Sequence, residues 1–141
     1  MNSIICSGAL FYTLDTQRFL FLHRTQSKQP NVWGLVGGTN ETEEIPYQAL
    51  LREIKEEIGF VPKIIKIHPL DIYQSNDGHF MYHTFVIVTP TEFEPNINHE
   101  SQDYCWSKLR KLPRPLHQGA RKTLLDKNNV KKLNLIVNSI D

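Results

Sequence analysis

GGTNETEEIPYQALLREIKEEIGF, residues 37–60, decides how this chain is read. It opens on a glycine pair, passes through a polar stretch with Glu41, Glu43 and Glu44, and then turns apolar at helical spacing. Tyr47, Leu50, Leu51, Ile54 and Ile58 fall on one stripe of a helix. Pro46 suits its first turn, where a missing N–H is no loss, and Gly59 suits its stop. At about 100° per residue, Glu53, Glu56 and Glu57 project within roughly a 100° arc away from that stripe. Like charges this close repel by a few tenths of a kcal/mol per pair, and a bound cation turns the same arrangement into an attraction. The charge pattern by itself fits a solvated surface helix at least as well.

The rest of the chain bounds the possibilities. Its 141 residues, 40% hydrophobic and 22% charged with a net charge of +1, suit one globular domain with an ordinary core, residues 1–141. Cys6 and Cys105 are isolated, and the N-terminal stretch lacks a basic start and a small-residue cleavage site, so a reducing, cytoplasmic setting is expected. No apolar run approaches the ~20 residues of a membrane span. A net charge near zero argues against broad electrostatic binding to nucleic acid, so no stable nucleic-acid partner is expected.

Working outward, residues 4–11 and 19–24 are β-forming apolar runs separated by Asp15-Thr16-Gln17, which predicts a hairpin in one sheet. Residues 25–31 read as loop, residues 32–36 as a short extended segment, and Gly37-Gly38 as a turn where backbone approaches something closely. Residues 62–71 and 80–89 read as two further strands joined by the turn-forming Ser75-Asn76-Asp77-Gly78. Residues 90–98 read as loop, 104–106 as a strand and 116–125 as a second helix, while 128–141 fits helix or strand. The order predicts an α/β fold with a sheet flanked by two helices.

The acidic helix carries chemistry of one kind. Hard oxygen donors without cysteine or histidine suit Mg2+, with Mn2+ as a possible substitute. Arg52 can brace the glutamates through its rigid fork. Gly37 and Gly38 can offer carbonyls to a metal and N–H groups to phosphate. Gly38, Glu44, then Arg52-Glu53-Ile54-Lys55-Glu56-Glu57-Ile58-Gly59-Phe60 match every fixed position of the Nudix box, over residues 38–60. The flanks are similar too: Val32-Trp33-Gly34-Leu35 before the glycines, Glu41 within the loop, and His99-Glu100 followed by Trp106. The chain thus resembles the Nudix hydrolases. Many members have proline where Val36 stands and glycine where Glu43 stands, so altered loop geometry is expected here.

The resemblance implies an α/β/α sandwich with a mixed sheet, and Mg2+-dependent hydrolysis of a nucleoside diphosphate linked to another moiety. It assigns Glu53, Glu56 and Glu57 to metal, with a carbonyl of Gly37 or Gly38, and gives Arg52 the task of orienting them. Glu53 and Glu100 are the candidate general bases; a solvated loop glutamate is the plain alternative for Glu100. Glu44 reads as a charge favourable to the helix dipole rather than as a ligand. Arg24 is a candidate phosphate holder, Tyr12, Phe80 and Tyr82 are candidate base-stacking aromatics, and His117 is a candidate pocket residue. Strand aromatics more commonly face the core. Nucleoside triphosphates, oxidised ones included, rank first as substrates, ahead of ADP-ribose, nucleotide sugars and dinucleoside polyphosphates. A nucleotide-binding sensor without catalysis is the rival class, and many relatives dimerise.

Overall fold

The computed structural model describes residues 3–25 and 31–140. The expected loop at 25–31 lies largely outside the described residues. Among the described residues are seven strands and three α-helices. They are β1 (Ile4–Thr13), β2 (Phe19–Arg24), β3 (Trp33–Gly34), β4 (Val36–Thr39), α1 (Pro46–Ile58), β5 (Lys66–Gln74), β6 (Phe80–Thr89), β7 (Ser101–Ser107), α2 (Gln118–Leu125) and α3 (Lys127–Asn138).

The sheet runs β3-β2-β1-β6-β5, with β4 also on β1 and β7 also on β2. It is mixed: β1 is parallel to β6 through ten paired residues and antiparallel to β2 and β4. β1 reads as a nearly continuous apolar run, as a strand covered on both faces should. Its even-numbered Leu10 and Tyr12 join Val86, Val88, Ala120, Leu124, Leu133 and Ile136 in a core under α2 and α3. The odd-numbered Ala9 and Phe11 join Leu50, Ile54, Ile58 and Ile87 in a second core under α1. The architecture is therefore the expected α/β/α sandwich with a mixed sheet. Leu50, Ile54 and Ile58 are fully buried, each contributing about 1.5–3 kcal/mol.

Some expectations are corrected. Gly37 and Gly38 form no turn; they sit in β4, opposite Gly8 and Ser7 of β1. A Cβ at Gly37 would overlap the Ser7 carbonyl, so glycine serves strand contact there, not a bend. Val36 pairs with Ala9 at the start of the same strand. The tail at 127–138 is a helix, begun by the Asp126 side chain accepting from the Asn129 N–H at 3.0 Å. Three helices thus flank the sheet. Tyr47, placed on the apolar stripe, is 45% exposed, and the stripe is completed instead by Ala49. No described helix is long and apolar enough to cross a membrane.

α1 begins with Pro46 in its first turn, the Gln48 side chain reaching back to the Ile45 N–H at 3.2 Å, and it stops at Gly59 with φ 89°. Before it, Glu43 holds φ 70°, the left-handed conformation that glycine adopts freely. The loop therefore holds a backbone suited to glycine at Glu43 and bears strain for it. Glu43→Gly is expected to raise stability by roughly 0.5–1 kcal/mol, since relief of left-handed strain exceeds the added chain entropy. Thermal unfolding of the two proteins checks this; an unchanged or lower Tm contradicts it.

Candidate active site

The site forms where α1 meets the glycine pair of β4. A Cβ on Gly38 would stand 2.7 Å from the Glu53 carboxylate carbon, so that carboxylate lies flat against bare backbone. The Gly37 N–H donates to Glu57 Oε2 at 2.7 Å. Glu53 and Glu57 are buried, 9% and 6% exposed, whereas Glu56 is exposed. The helical arc thus does not turn wholly to solvent: two of its three carboxylates are pressed under the sheet edge, adjoining the apolar stripe.

Arg52 organises this acid cluster. Its Nε and Nη2 donate to the two carboxylate oxygens of Glu44 at 2.8 and 2.9 Å, and Nη1 donates to Glu53 Oε1 at 2.9 Å. Nη2 also donates to the Thr39 carbonyl at 3.0 Å. The two-pronged contact goes to Glu44, which lies just before α1 and pins the arginine. Arg52 and the Glu41 N–H hold the Glu44 carboxyl down at about 2. Burial instead raises the Glu53 and Glu57 carboxyls, with Arg52 opposing at Glu53, and the neighbouring carboxylates Glu56 and Glu100 at Glu53, and Glu53 and Glu100 at Glu57, raising them further. Glu100 comes within electrostatic reach because its loop is tied to α1: Asn98 Nδ2 donates to the Glu56 carbonyl at 3.1 Å, and the Asn96 N–H donates to the Ile58 carbonyl at 2.8 Å.

The donor set fits a hard divalent cation, being all oxygen, with two buried carboxylates whose negative charge Arg52 and Arg24 offset only in part. Among the described residues, no three acidic, histidine or cysteine side chains are drawn together as tightly as a formed metal site requires. Arg52 holds Glu53 and the Gly37 N–H holds Glu57 in this arrangement.

On the other side of the glycine pair opens a cavity of about 870 Å3. Arg24, Phe80, Tyr82 and His117 line it together with Gly37 and Gly38, so four of the five substrate-binding candidates stand in one place. Arg24 makes no ion pair among the described residues. Its Nη2 donates to the Leu35 carbonyl at 3.1 Å. His117 caps α2, its Nδ1 accepting from the Gly119 N–H at 3.1 Å, which leaves the proton on Nε2. Burial and then Arg24 push the imidazole downward, so it is a neutral donor. Phe80 belongs to a row of rings with Tyr73 at 6.2 Å and Tyr82 at 6.5 Å. Tyr12 is a correction: it is 6% exposed, packs its ring 5.0 Å from Phe19 in the core under α2 and α3, and does not line the cavity.

Other lining residues escaped the sequence reading. Cys6, Asp71, Tyr73, Lys122, Asp126 and Asn129 reach the cavity from β1, β5, α2, the junction between α2 and α3, and α3. The signal for the last two was the helix-start pattern Asp126-Lys127-Asn128-Asn129, hidden by a tail whose period fitted strand as well.

A three-layer sandwich that sets buried carboxylates beside a cavity with cationic and aromatic walls suits the hydrolysis of phosphoric anhydrides, and the family match assigns the chain to that class. Residues 6–127 match the family model of the NUDIX domain, and the chain belongs to that family, a Nudix pyrophosphohydrolase. It is similar to an Escherichia coli nucleoside triphosphatase, NudI, with 37% identity over 107 residues that cover 67% of this chain and 75% of the relative. The dihydroneopterin triphosphate diphosphatase of Haemophilus influenzae is 29% identical over 120 residues, 72% of either chain. In fold it is similar to the NUDIX domain of Shewanella oneidensis NrtR, solved with ADP ribose, at a TM-score of 0.75 and 18% identity over 94% of this chain and 90% of that one.

A carboxyl raised in the folded state contributes stability below its unfolded value, near 4.5, and loses it as pH climbs through the folded value. The ionised Glu57 should therefore destabilise the cation-free protein at neutral and higher pH. In EDTA, Glu57→Gln is expected to melt above the wild type at pH 8, with the gap closing towards pH 4. Equal melting of the two at pH 8 contradicts the burial argument.

Proposed function

We propose that this chain hydrolyses a pyrophosphate bond of nucleoside triphosphates, oxidised ones included, with Mg2+ as its cation and Mn2+ as a working substitute. The observation that carries the reading is the shared boundary at Gly37 and Gly38, which receive Glu57 and Glu53 and also line the cavity that holds Arg24 and His117. A triphosphate in the cavity would lay its phosphates against that boundary. The names of the two curated relatives, both acting on triphosphates, favour this substrate class over nucleotide sugars.

Glu53, Glu56 and Glu57, with a carbonyl of Gly37 or Gly38, would hold the cation, which when bound supplies charge neutralisation on the phosphates and a water of lowered pKa. Arg52 keeps Glu53 in one rotamer and is itself fixed by Glu44. Arg24 and the His117 Nε2–H supply donors to phosphoryl oxygens on the cavity side. Phe80 offers a ring to the base. Glu53 and Glu100 are the two carboxylates assigned to take the proton of the attacking water; burial raises Glu53 towards the pH at which a base works well. Water oxygen bonds to phosphorus, the bridging P–O bond breaks, and the leaving phosphate takes the bond electrons. A cytoplasmic location and a homodimer belong to the same proposal.

The test is product release from a panel of nucleoside triphosphates, ADP-ribose, dinucleoside polyphosphates and nucleotide sugars, with Mg2+ or Mn2+ and an EDTA control. Turnover of triphosphates is expected, abolished by EDTA and lowered at least roughly a hundredfold in Glu56→Gln with its melting curve kept. Unchanged turnover in Glu56→Gln overturns the assignment. Silence across the panel, with a nucleotide still raising Tm, moves the reading to a sensor.

A further inference from the structure

Tyr82 lines the cavity with a hydroxyl that has no hydrogen-bond partner among the described residues. From β6 its ring crosses onto β1 and lies over Gly8, where a Cβ would overlap Oη and stand 2.9 Å from two ring carbons. Gly8 is the strand partner of Gly37, so two residues without side chains lie side by side next to the phenol. The Gly37 N–H is already given to Glu57. Oη makes no hydrogen bond among the described residues and opens on the cavity, where a ligand can reach it. It shares the cavity with Arg24, whose charge acts on Tyr82 and on His117 and which has no carboxylate partner of its own among the described residues.

A hydroxyl without a hydrogen-bond partner and a guanidinium without a carboxylate partner, both among the described residues, make a place for an anionic oxygen beside the backbone that receives the acid cluster. We propose that Tyr82 Oη and Arg24 together bind a phosphoryl oxygen of the substrate, so that Tyr82 acts through its hydroxyl and not as a stacking platform for the base. Gly8 makes this possible by clearing the floor on which the ring rests, and Phe80 is left as the ring for the base. The inference rests on the triphosphate reading above.

The experiment uses the full chain and its Tyr82→Phe variant, which keeps the ring over Gly8 and removes only the oxygen. The probes are adenosine and guanosine triphosphates with methylene in place of the bridging oxygens, titrated by calorimetry in Mg2+, beside kcat and KM with the natural triphosphates. Loss of a hydrogen bond to a charged oxygen should weaken analogue binding about tenfold or more and lower kcat/KM by a similar factor, while Tm stays level or rises. Equal analogue affinity in the two proteins overturns the proposal, as does failure of the wild type to bind either analogue. Tight analogue binding by the wild type without turnover of natural triphosphates sinks the enzymatic reading alone, and the ratio of the two Kd values then still decides on Tyr82.

Discussion

The site depends on the absence of two side chains. β4 packs against β1 so closely that residue 37 must lack a Cβ, and a Cβ at residue 38 would push aside the Glu53 carboxylate that α1 lays against it from the opposite face. Fill either position and the carboxylates of Glu53 and Glu57 lose their resting place against the strand. The cores set this spacing: Ile54 and Ile58 anchor α1 beneath Ala9, Phe11 and Ile87, and the helix turn between them carries Glu57 to the Gly37 N–H. Packing, not loop flexibility, thus places the acid groups.

Gathering them carries an electrostatic cost that the molecule offsets unevenly. Arg52 compensates Glu53 directly and is pinned by Glu44, so the arginine is a fixed part of the frame. Glu57 has a backbone N–H and the field of Arg24, which together fall short of its desolvation. A site left partly uncompensated in this way is poised to gain from a cation, and a protein without that cation is correspondingly less stable at neutral pH. Function and stability therefore pull apart at one residue.

The α1 segment was legible because a 3.6-residue period, Pro46 and Gly59 all gave the same answer, and the fixed spacing from Gly38 to Phe60 singled out the acid groups. The glycine pair was legible as a place of close approach but not as a strand, since its partner residues Ser7 and Gly8 lie 31 and 29 positions away in sequence and pairing is a tertiary fact. Tyr12 and Tyr82 show the same boundary. Both occupy one face of the sheet; four residues along β1 from Gly8, the first is sealed by α2 and α3, and the second opens on the cavity. Alternation tells which face a strand residue takes, and only the packed helices tell how far their cover extends. The α3 wall stayed hidden because its start depends on one capping side chain, Asp126.

The most direct measurement is Mn2+ affinity in Gly38→Ala, read by electron paramagnetic resonance beside the melting curve. The added Cβ meets only the far end of Glu53, so the fold should persist with a melting transition close to that of the wild type, while the displaced carboxylate weakens Mn2+ binding about tenfold or more. Wild-type Mn2+ affinity in a folded Gly38→Ala protein would contradict the account, because the bare backbone at Gly38 would then not be what seats the acid cluster.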